Sequence, residues 1–313
     1  MSHKIAAQRT VPTRPAMALV IASATALLAA CSSSAPATSS DSSRPATSSS
    51  AVAVASLHEM LPSAIKSSGV LRVASTFGYP PDEYYEADNT TPTGISVDLG
   101  NAVAGVLGLK ADFSNIAFDS ILPGLLAGRY DTVIGALSAT PERVKQFDMV
   151  TYQNAGTALL VSGGNPKHIA GIEDLCGLTV ALLKGSIYIP LLQGKSQADC
   201  LAKGKPAIKL SIYDGSADYF QAVASGRADA TYTGFEAAKY AADNSGGQLT
   251  FIDKLYPDIP YGAAFTKQNL QLAKAVQAAF TYIIHNGTYG QIMAKWGVTK
   301  EAISASTLLQ ANP

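Results

Sequence analysis

From residue 71 onward, short apolar runs alternate with segments in which apolar residues recur at helical spacing. Strands are predicted at residues 71–74, 111–113, 132–134, 178–182, 208–212 and 228–232. Helices are predicted at residues 97–107, 120–127, 187–192, 218–225, 270–285 and 289–296, with a further helix starting at Thr140. Strands that alternate with helices are typical of an α/β fold whose sheet is mostly parallel.

The pattern restarts near residue 178, and the roughly 255 residues from Leu57 onward are more than a single compact core usually holds. We therefore expect two α/β lobes. The first is predicted to contain residues 57–156 and 262–313, and the second residues 157–261. The chain then crosses between the lobes twice, with residues 157–161 and 261–264 as candidate hinge strands. Two crossings permit bending about a hinge while each lobe stays rigid.

Two helix starts carry recognisable capping residues. Thr140 followed by Pro141 places a capping hydroxyl before a proline at the first helical position, where the missing N–H is tolerated. The helix over residues 120–127 is predicted to be capped by Asp119 or Ser120, with Pro123 in its first turn. These caps determine which side chains lie beside the first turn of each helix.

The first 56 residues differ in composition from the remainder of the chain. Lys4, Arg9 and Arg14 precede a small-residue apolar run at 16–30, which is the pattern of an export signal. The alternative is a membrane-spanning helix, but that needs about 20 apolar residues, and this run is shorter and rich in alanine. Residues 1–30 are therefore predicted to be a signal peptide. The following Ser, Ala, Thr and Pro residues predict a flexible linker over 31–56.

Residues 28–31, Leu-Ala-Ala-Cys, resemble the lipobox of bacterial lipoproteins, in which the cysteine is lipidated and becomes the new N-terminus. The resemblance implies a lipid anchor on Cys31 and an extracytoplasmic location at the cell membrane. Each buried methylene of an acyl chain adds about 0.8 kcal/mol, so two or three chains anchor a protein stably. Cys176 and Cys200 remain, either as a disulfide or as buried free thiols, and an oxidising compartment favours the disulfide.

Charge and motif content exclude several classes of function. The 23 basic and 23 acidic residues balance, and no basic stripe that would suit nucleic acid is present. His58, His168 and His285 do not have the spacing of metal ligands. Residues 194–196 resemble the end of a phosphate-binding loop, but Ile189 stands where its first glycine is required. No metal site, cofactor or nucleic-acid partner is therefore expected.

Arg143 falls in the first turn of the helix that starts at Thr140. Unpaired N–H groups and the positive end of the helix dipole favour an anion at such a turn. A guanidinium can grip a carboxylate through two parallel hydrogen bonds, and Ser138 just upstream can add a hydroxyl donor. The alternative is a solvated surface arginine, which is the commoner situation for this residue type.

Six motifs together carry a resemblance to a known family. They are PTGISVDL at 92–99, FDSILPGL at 118–125, SATPER at 138–143, DLCG at 174–177, GRADA at 226–230 and NGTY at 286–289. In this order, across residues 67–298, they resemble the bacterial extracellular solute-binding proteins of family 3, the amino-acid receptors of ABC importers. The DLCG motif resembles a disulfide-containing subgroup of that family, which implies a bond between Cys176 and Cys200.

The resemblance implies a type II periplasmic-binding-protein-like fold that holds a solute between its lobes. It implies that Arg143 and Ser138 hold the carboxylate of the solute. It also implies that Phe118 and Tyr79 form aromatic walls and that Ser186 meets the solute from the second lobe. Ordinary core packing of the two aromatic side chains, and helix capping by Ser186, are the alternatives.

The chain departs from the family at the acid that usually pairs with the ammonium group of the solute. Gly234 stands where the family places an aspartate after a second-lobe strand, and Thr76 stands where some relatives carry a first-strand acid. A buried ammonium without a partner is costly. Either another acid such as Glu236 or Asp214 approaches the solute, or the solute is not a standard α-amino acid.

The expected function is therefore capture of an amino acid or related carboxylate-bearing solute, without chemistry, by a monomer that delivers it to an ABC permease. Two alternatives stay open. One is an exported enzyme on the same fold, dehydratase-like or cell-wall lytic, for which Glu236 is the candidate acid or base. The other is a sensory lipoprotein that binds a solute but serves no permease.

Overall fold

The computed structural model describes residues 53–257 and 259–311. Its helices are α1 (Ala55–Glu59), α2 (Ser63–Ser68), α3 (Ile95–Val106), α4 (Phe118–Leu126), α5 (Pro141–Gln146), α6 (Tyr188–Lys195), α7 (Ser216–Ala224), α8 (Phe235–Asp243), α9 (Leu270–His285) and α10 (Thr288–Lys295). Its strands are β1 (Val70–Ser75), β2 (Tyr84–Tyr85), β3 (Pro92–Thr93), β4 (Lys110–Asn115), β5 (Thr132–Val133), β6 (Phe147–Gln153), β7 (Gly156–Ser162), β8 (Thr179–Leu183), β9 (Lys209–Tyr213), β10 (Ala230–Gly234), β11 (Leu249–Pro257), β12 (Tyr261–Thr266) and β13 (Leu308–Leu309).

Two sheets form the centres of two lobes. The sheet of the first lobe has the strand order β13-β6-β12-β5-β1-β4, and that of the second lobe has the order β11-β7-β10-β8-β9. The pairs β1–β4, β1–β5, β8–β9 and β8–β10 are parallel, whereas the strands next to the crossings pair antiparallel. The prediction of an α/β architecture with two lobes is confirmed.

The chain passes between the two sheets twice. It leaves the first sheet after β6 and enters the second at β7, with two residues between these strands. It returns from β11 to β12 through a second short segment. The candidate hinge strands at 157–161 and 261–264 thus lie inside the two sheets, where they are hydrogen-bonded on both sides. The lobe boundaries themselves remain a prediction.

Each sheet is covered on both faces by apolar side chains. In the first lobe, one core packs α3, α9 and α10 against the sheet, and a second core packs α4 against its other face. The second lobe likewise has two cores, one of which contains α7 and α8. Helix α9 spans the predicted residues 270–285, and its predicted inner face is fully buried at Leu272, Val276, Phe280 and Ile283.

The first helix begins inside the segment predicted to be linker. Helix α1 starts at Ala55, whereas the linker was predicted to extend to residue 56. The Val54 side chain packs against the first-lobe core, and its N–H donates to the carbonyl of Val106 at 2.8 Å, which orders this end of the segment. The predicted signal peptide, Cys31 and most of the linker lie outside the described residues. Within residues 53–257 and 259–311, no helix is both long and apolar enough to cross a membrane.

One predicted helix cap is confirmed and the other is wrong. The Thr140 hydroxyl accepts the Arg143 N–H at 3.2 Å, and Pro141 occupies the start of α5. Helix α4 instead begins at Phe118 after Ala117, without a side-chain cap, so Pro123 lies in its second turn. The Asp119 carboxylate is engaged by Lys184 at 3.0 Å instead of capping the helix.

The second lobe contains the disulfide. Cys176 and Cys200 are bonded, with their Cα atoms 5.5 Å apart, and Cys200 is buried in one of the two second-lobe cores. The bond joins the start of β8 to the segment that follows α6. Closing a loop of this length stabilises a fold by roughly 3 kcal/mol.

Candidate functional site: a cavity between two lobes

A cavity of about 550 Å³, counted to its open mouth, lies between the lobes. Tyr261 begins β12 of the first sheet, so we assign it to the first lobe, although its position was predicted to end the second. Eight lining residues then belong to the first lobe: Thr76, Tyr79, Glu83, Phe118, Ala136, Ser138, Arg143 and Tyr261. Eight belong to the second lobe: Leu183, Ser186, Ile187, Tyr188, Ser216, Tyr219, Tyr232 and Thr233. The cavity wall is therefore aromatic and hydroxyl-rich, with few charged groups.

Arg143 is held in the cavity wall by contacts on several sides. Its backbone N–H donates to Thr140, and its Nη1 donates to the carbonyl of Ser138 at 2.9 Å. Its guanidinium carbon lies 5.8 Å from the ring centroid of Phe118, a cation–π arrangement. Helix α5, which carries Arg143 in its first turn, has six residues.

The first and second lobes meet at Tyr79 and Gly234. The Tyr79 hydroxyl accepts the backbone N–H of Gly234 at 2.9 Å and lies 2.9 Å from the Thr233 hydroxyl. A Cβ atom on Gly234 would lie 2.6 Å from the Tyr79 hydroxyl and 2.9 Å from that of Tyr261. Any side chain at 234 would therefore collide with the two tyrosines, so this chain has no room for an aspartate there.

A second contact between the lobes lies at the cavity edge. Lys184, which follows β8, places its Nζ 3.0 Å from Asp119 of the first lobe and 3.4 Å from Asp214. The Lys184 ammonium lowers the pKa of Asp119. A Cβ on Gly185 would approach the Asp119 backbone to 3.0 Å, and Gly185 has a positive φ of 79°. The loop that carries Ser186 thus packs closely against the start of α4.

Six of the eight predicted ligand-binding residues line the cavity: Thr76, Tyr79, Phe118, Ser138, Arg143 and Ser186. Gly234 lies behind Tyr79 and is not part of the lining. Glu236 is buried in the first turn of α8 and does not line the cavity either. The Asp214 side chain is 85% exposed and pairs with Lys184, so the structure does not bring it to the cavity.

Glu83 is the acid in the cavity wall, and the sequence analysis did not identify it. Its side chain lines the cavity, the residue is 3% exposed, and its Oε2 forms no hydrogen bond. Burial raises the pKa of Glu83 to about 8, an effect moderated by the Ser96 hydroxyl and the Ala136 N–H. Asp82 and Glu83 are adjacent acids directly after Pro81, in the loop that follows β1. This pair of acids is the sequence signal that could have identified Glu83.

Two further buried carboxyls lie close to this acid. Asp82 and Glu236 have no hydrogen-bond partner on either carboxylate oxygen. Burial raises the pKa of both groups, and the charge of Glu83 adds to the shift at Asp82. Asp82 also raises the pKa of Glu236, although the two residues come from different lobes. The closed arrangement therefore brings acids of both lobes together out of water.

Comparisons with known proteins agree with this architecture. Residues 71–299 match the bacterial extracellular solute-binding proteins of family 3. The arginine-binding protein ArgT of Corynebacterium glutamicum is 30% identical over 260 residues, which cover 83% of this chain and 84% of that protein.

Two solved structures are similar over most of their length. An ancestral arginine-binding protein bound to glutamine is 32% identical, covers 74% of this chain and 98% of its own, and superposes with a TM-score of 0.67. An ancestral amino acid-binding protein described as a precursor of cyclohexadienyl dehydratase is 31% identical, covers 77% and 99%, and has a TM-score of 0.64. The fold is that of type II periplasmic binding proteins, and the chain belongs to family 3 of the bacterial extracellular solute-binding proteins.

Proposed function

We propose that this protein captures an amino acid in the cavity between its lobes and delivers it to an ABC permease. The observation that carries the proposal is the buried cavity with Arg143 in its first-lobe wall and hydroxyl-bearing side chains opposite. The arginine fork matches the geometry of a carboxylate, and the relatives described above are named for binding amino acids.

Each predicted site residue has a distinct part in this proposal. Arg143 and the Ser138 hydroxyl hold the α-carboxylate, and Phe118 packs beside the bound solute while it supports the guanidinium from one side. Tyr79 closes the cavity towards Gly234, and Ser186 contacts the solute from the second lobe. Thr76 lines the wall, but its hydroxyl donates to the carbonyl of Ile116 at 2.8 Å. We therefore assign the Thr76 hydroxyl to the structure of the first lobe and not to solute binding.

Capture follows from the two-lobed architecture. In an open form, both cavity walls face water, and a solute can bind to the first lobe. A bound solute that contacts both walls stabilises the closed form by its difference in affinity for the two forms. The closed form is then the one that docks on a permease, so the permease receives loaded protein in preference to empty protein.

A lipid anchor completes the proposal. We propose that residues 1–30 are removed on export, that Cys31 is acylated, and that residues 31–56 tether a monomeric receptor to the membrane. The tether lets the lobes reach a permease while the protein stays at the surface. The test is fractionation of cells that express wild-type protein or Cys31→Ala. Loss of Cys31→Ala from the membrane fraction is expected, and equal membrane retention of both proteins would contradict the anchor.

The binding proposal is tested with a thermal-shift screen of the purified protein against the common amino acids and small organic acids. At a concentration 100-fold above Kd, a ligand stabilises the native state by about 2.7 kcal/mol, which is easily measured. We expect at least one amino acid to raise the melting temperature. No shift with any amino acid would contradict the proposal.

A second candidate function is favoured by one observation. Glu83 is a buried acid in the cavity whose pKa of about 8 would let it exchange a proton near neutral pH, as an acid–base catalyst must. One similar structure is also described as a precursor of an enzyme. Incubating each stabilising solute with the protein, followed by mass spectrometry, separates the two functions. A receptor returns the solute unchanged, and a new product would identify an enzyme.

A further inference from the structure

Position 234, where the family resemblance places the aspartate that pairs with the ammonium of the solute, is sterically blocked in this protein. The two tyrosine hydroxyls that lie beside Gly234 occupy the space into which a side chain at 234 would project. One of them, Tyr79, is also bonded to the Gly234 N–H and the Thr233 hydroxyl. If the cavity takes an amino acid, its ammonium therefore needs a carboxylate from somewhere else, because an unpaired buried cation is costly.

Glu83 is placed to be that carboxylate. Its backbone carbonyl accepts the N–H groups of Gly78 at 3.1 Å and Tyr79 at 2.9 Å, so the loop after β1 is folded tightly on itself. The neighbouring carbonyl of Asp82 accepts the Ser96 N–H at 2.9 Å, which fixes the loop on the start of α3. In this rigid position Glu83 is among the residues that line the cavity, and its buried Oε2 forms no hydrogen bond within the described part of the chain.

The charged groups in the cavity wall also balance. Among the described residues that line it, Arg143 is the one basic side chain and Glu83 the one acidic side chain. In the described part of the chain, no group of three or more His, Cys, Asp or Glu is arranged to hold a metal ion. A solute ammonium is the cation to which this inference assigns Glu83.

We infer that Glu83 pairs with the ammonium group of the bound amino acid, and that the cavity therefore selects amino acids with uncharged side chains. This inference rests on the proposed function. With Arg143 on the carboxylate and Glu83 on the ammonium, both charges of the zwitterion are matched. An arginine or lysine side chain would add a third charge for which the lining offers no carboxylate.

The second-lobe wall fits an uncharged side chain. Its lining residues include Tyr188, Tyr219, Tyr232, Thr233, Leu183 and Ile187, none of which carries a formal charge. Such a wall packs against an uncharged side chain and has no carboxylate to pair with a basic one. The prediction therefore differs from the names of the arginine-binding relatives, although the ancestral relative bound to glutamine shows that an uncharged side chain suits this architecture.

The experiment compares charged and uncharged solutes on two proteins. Wild type and Glu83→Gln are titrated calorimetrically with L-glutamine, L-tyrosine, L-leucine, L-arginine and L-lysine. The same proteins are titrated with the amine-free counterparts of the first three, namely 4-carbamoylbutanoate, 3-(4-hydroxyphenyl)propanoate and 4-methylpentanoate. Glu86→Gln, which changes an exposed acid on the same segment, is the matched control.

We expect wild type to bind at least one uncharged amino acid at least tenfold more tightly than arginine or lysine. Glu83→Gln should lose about tenfold or more of that affinity, because hydrogen bonds to charged groups contribute about 1.5–3 kcal/mol. Affinity for the amine-free counterpart should change by less than about threefold, and Glu86→Gln should match wild type. Tighter binding of arginine or lysine, or unchanged amino-acid affinity in Glu83→Gln, would each overturn the inference while the proposed function stands. Absence of binding to every amino acid would instead overturn the proposed function.

A measurement on wild type alone covers the case in which Glu83→Gln does not fold. Asp82, Tyr152, the Ser96 hydroxyl and the Ala136 N–H surround Glu83, and none of them is a cation. The acid therefore holds its proton at pH 7 until an ammonium replaces it. Calorimetry in buffers of different ionisation enthalpy should show release of up to about one proton with an amino acid and none with its amine-free counterpart. Equal proton release in both cases would overturn the inference.

Discussion

The two walls of the cavity differ in chemistry. The first-lobe wall contains both charged residues, Arg143 and Glu83, each fixed by backbone or hydroxyl contacts within its own lobe. The second-lobe wall contains tyrosine, serine and threonine hydroxyls and two aliphatic side chains, with no charged residue among its described lining. The difference indicates a division of work. We propose that the first lobe recognises the charged groups that all amino acids share, and that the second lobe recognises what distinguishes them.

The order of events in capture follows from this division. A solute that first meets the first lobe can place its carboxylate and ammonium while the second lobe is still apart. Closure then removes water from those ion pairs, which strengthens them, and brings the second-lobe hydroxyls to the side chain. In this proposal, specificity depends on closure, whereas initial binding depends on two residues of one lobe.

The largest expected loss of affinity is that of a first-lobe variant, and a variant on the opposite wall provides the comparison. Arg143→Ala should weaken amino-acid binding by at least about 30-fold, because truncating one partner of a buried ion pair costs about 2–5 kcal/mol. Ser186→Ala, on the opposite wall, should weaken it by about threefold to tenfold, the effect of one neutral hydrogen bond. Titration calorimetry measures both, with Arg227→Ala on the exposed second-lobe surface as the control. Equal losses for the two variants would remove the division between the walls.

An intermediate effect is expected where the walls touch. Gly234→Ala would place its Cβ 2.6 Å from the Tyr79 hydroxyl and 2.9 Å from that of Tyr261, so closure should be strained. Overpacking of this kind costs about 1–3 kcal/mol, which predicts a loss of about tenfold in affinity. Gly234→Ala combined with Tyr79→Phe should recover part of that loss. If Gly234→Ala bound like wild type, the contact at Tyr79 would not belong to the closed form.

The smallest expected effect is a change in melting temperature at Glu236, a buried acid that does not line the cavity. Glu236 faces Asp82, Glu301 and Gln153, and its pKa is raised by burial and by the charge of Asp82. The folded protein therefore keeps a proton that the unfolded chain releases above its ordinary pKa of about 4.5, so stability falls as the pH rises from about 5. Glu236→Gln removes this linkage. It should melt about 3 °C higher than wild type at pH 8 and nearly equal to it at pH 5.

The control for this prediction is Glu86→Gln, which replaces an exposed carboxylate. Its melting temperature should follow that of wild type across the same pH range. A Glu236→Gln protein that is less stable than wild type at pH 8 would show that the acid is ionised and paired in solution.

The fold could be predicted from the sequence wherever one periodicity extended over several turns. Helix α9 was predicted with its bounds and its buried face, because four apolar residues recur on one side over sixteen residues. The start of α4 was not, because Asp119 has two competing uses and the ion pair to Lys184 depends on the position of the other lobe. Local capping rules do not include a partner that is distant in sequence.

The site shows the same limit. Arg143 and Ser138 could be identified because a motif surrounds them and a capped turn places them. Glu83 could not, since its importance comes from burial beside the cavity and from Gly234 being blocked by tyrosines of the other lobe. Glu236 and Asp214, the acids predicted to approach the solute, are nearer to Gly234 along the chain but do not reach the cavity.

A crystal structure with the amino acid that gives the largest thermal shift tests the division between the walls most directly. The account predicts the α-carboxylate within hydrogen-bond distance of the Arg143 guanidinium, the ammonium within hydrogen-bond distance of the Glu83 carboxylate, and the side chain against the second-lobe hydroxyls. A solute bound with its carboxylate or its ammonium on the second-lobe wall would contradict it.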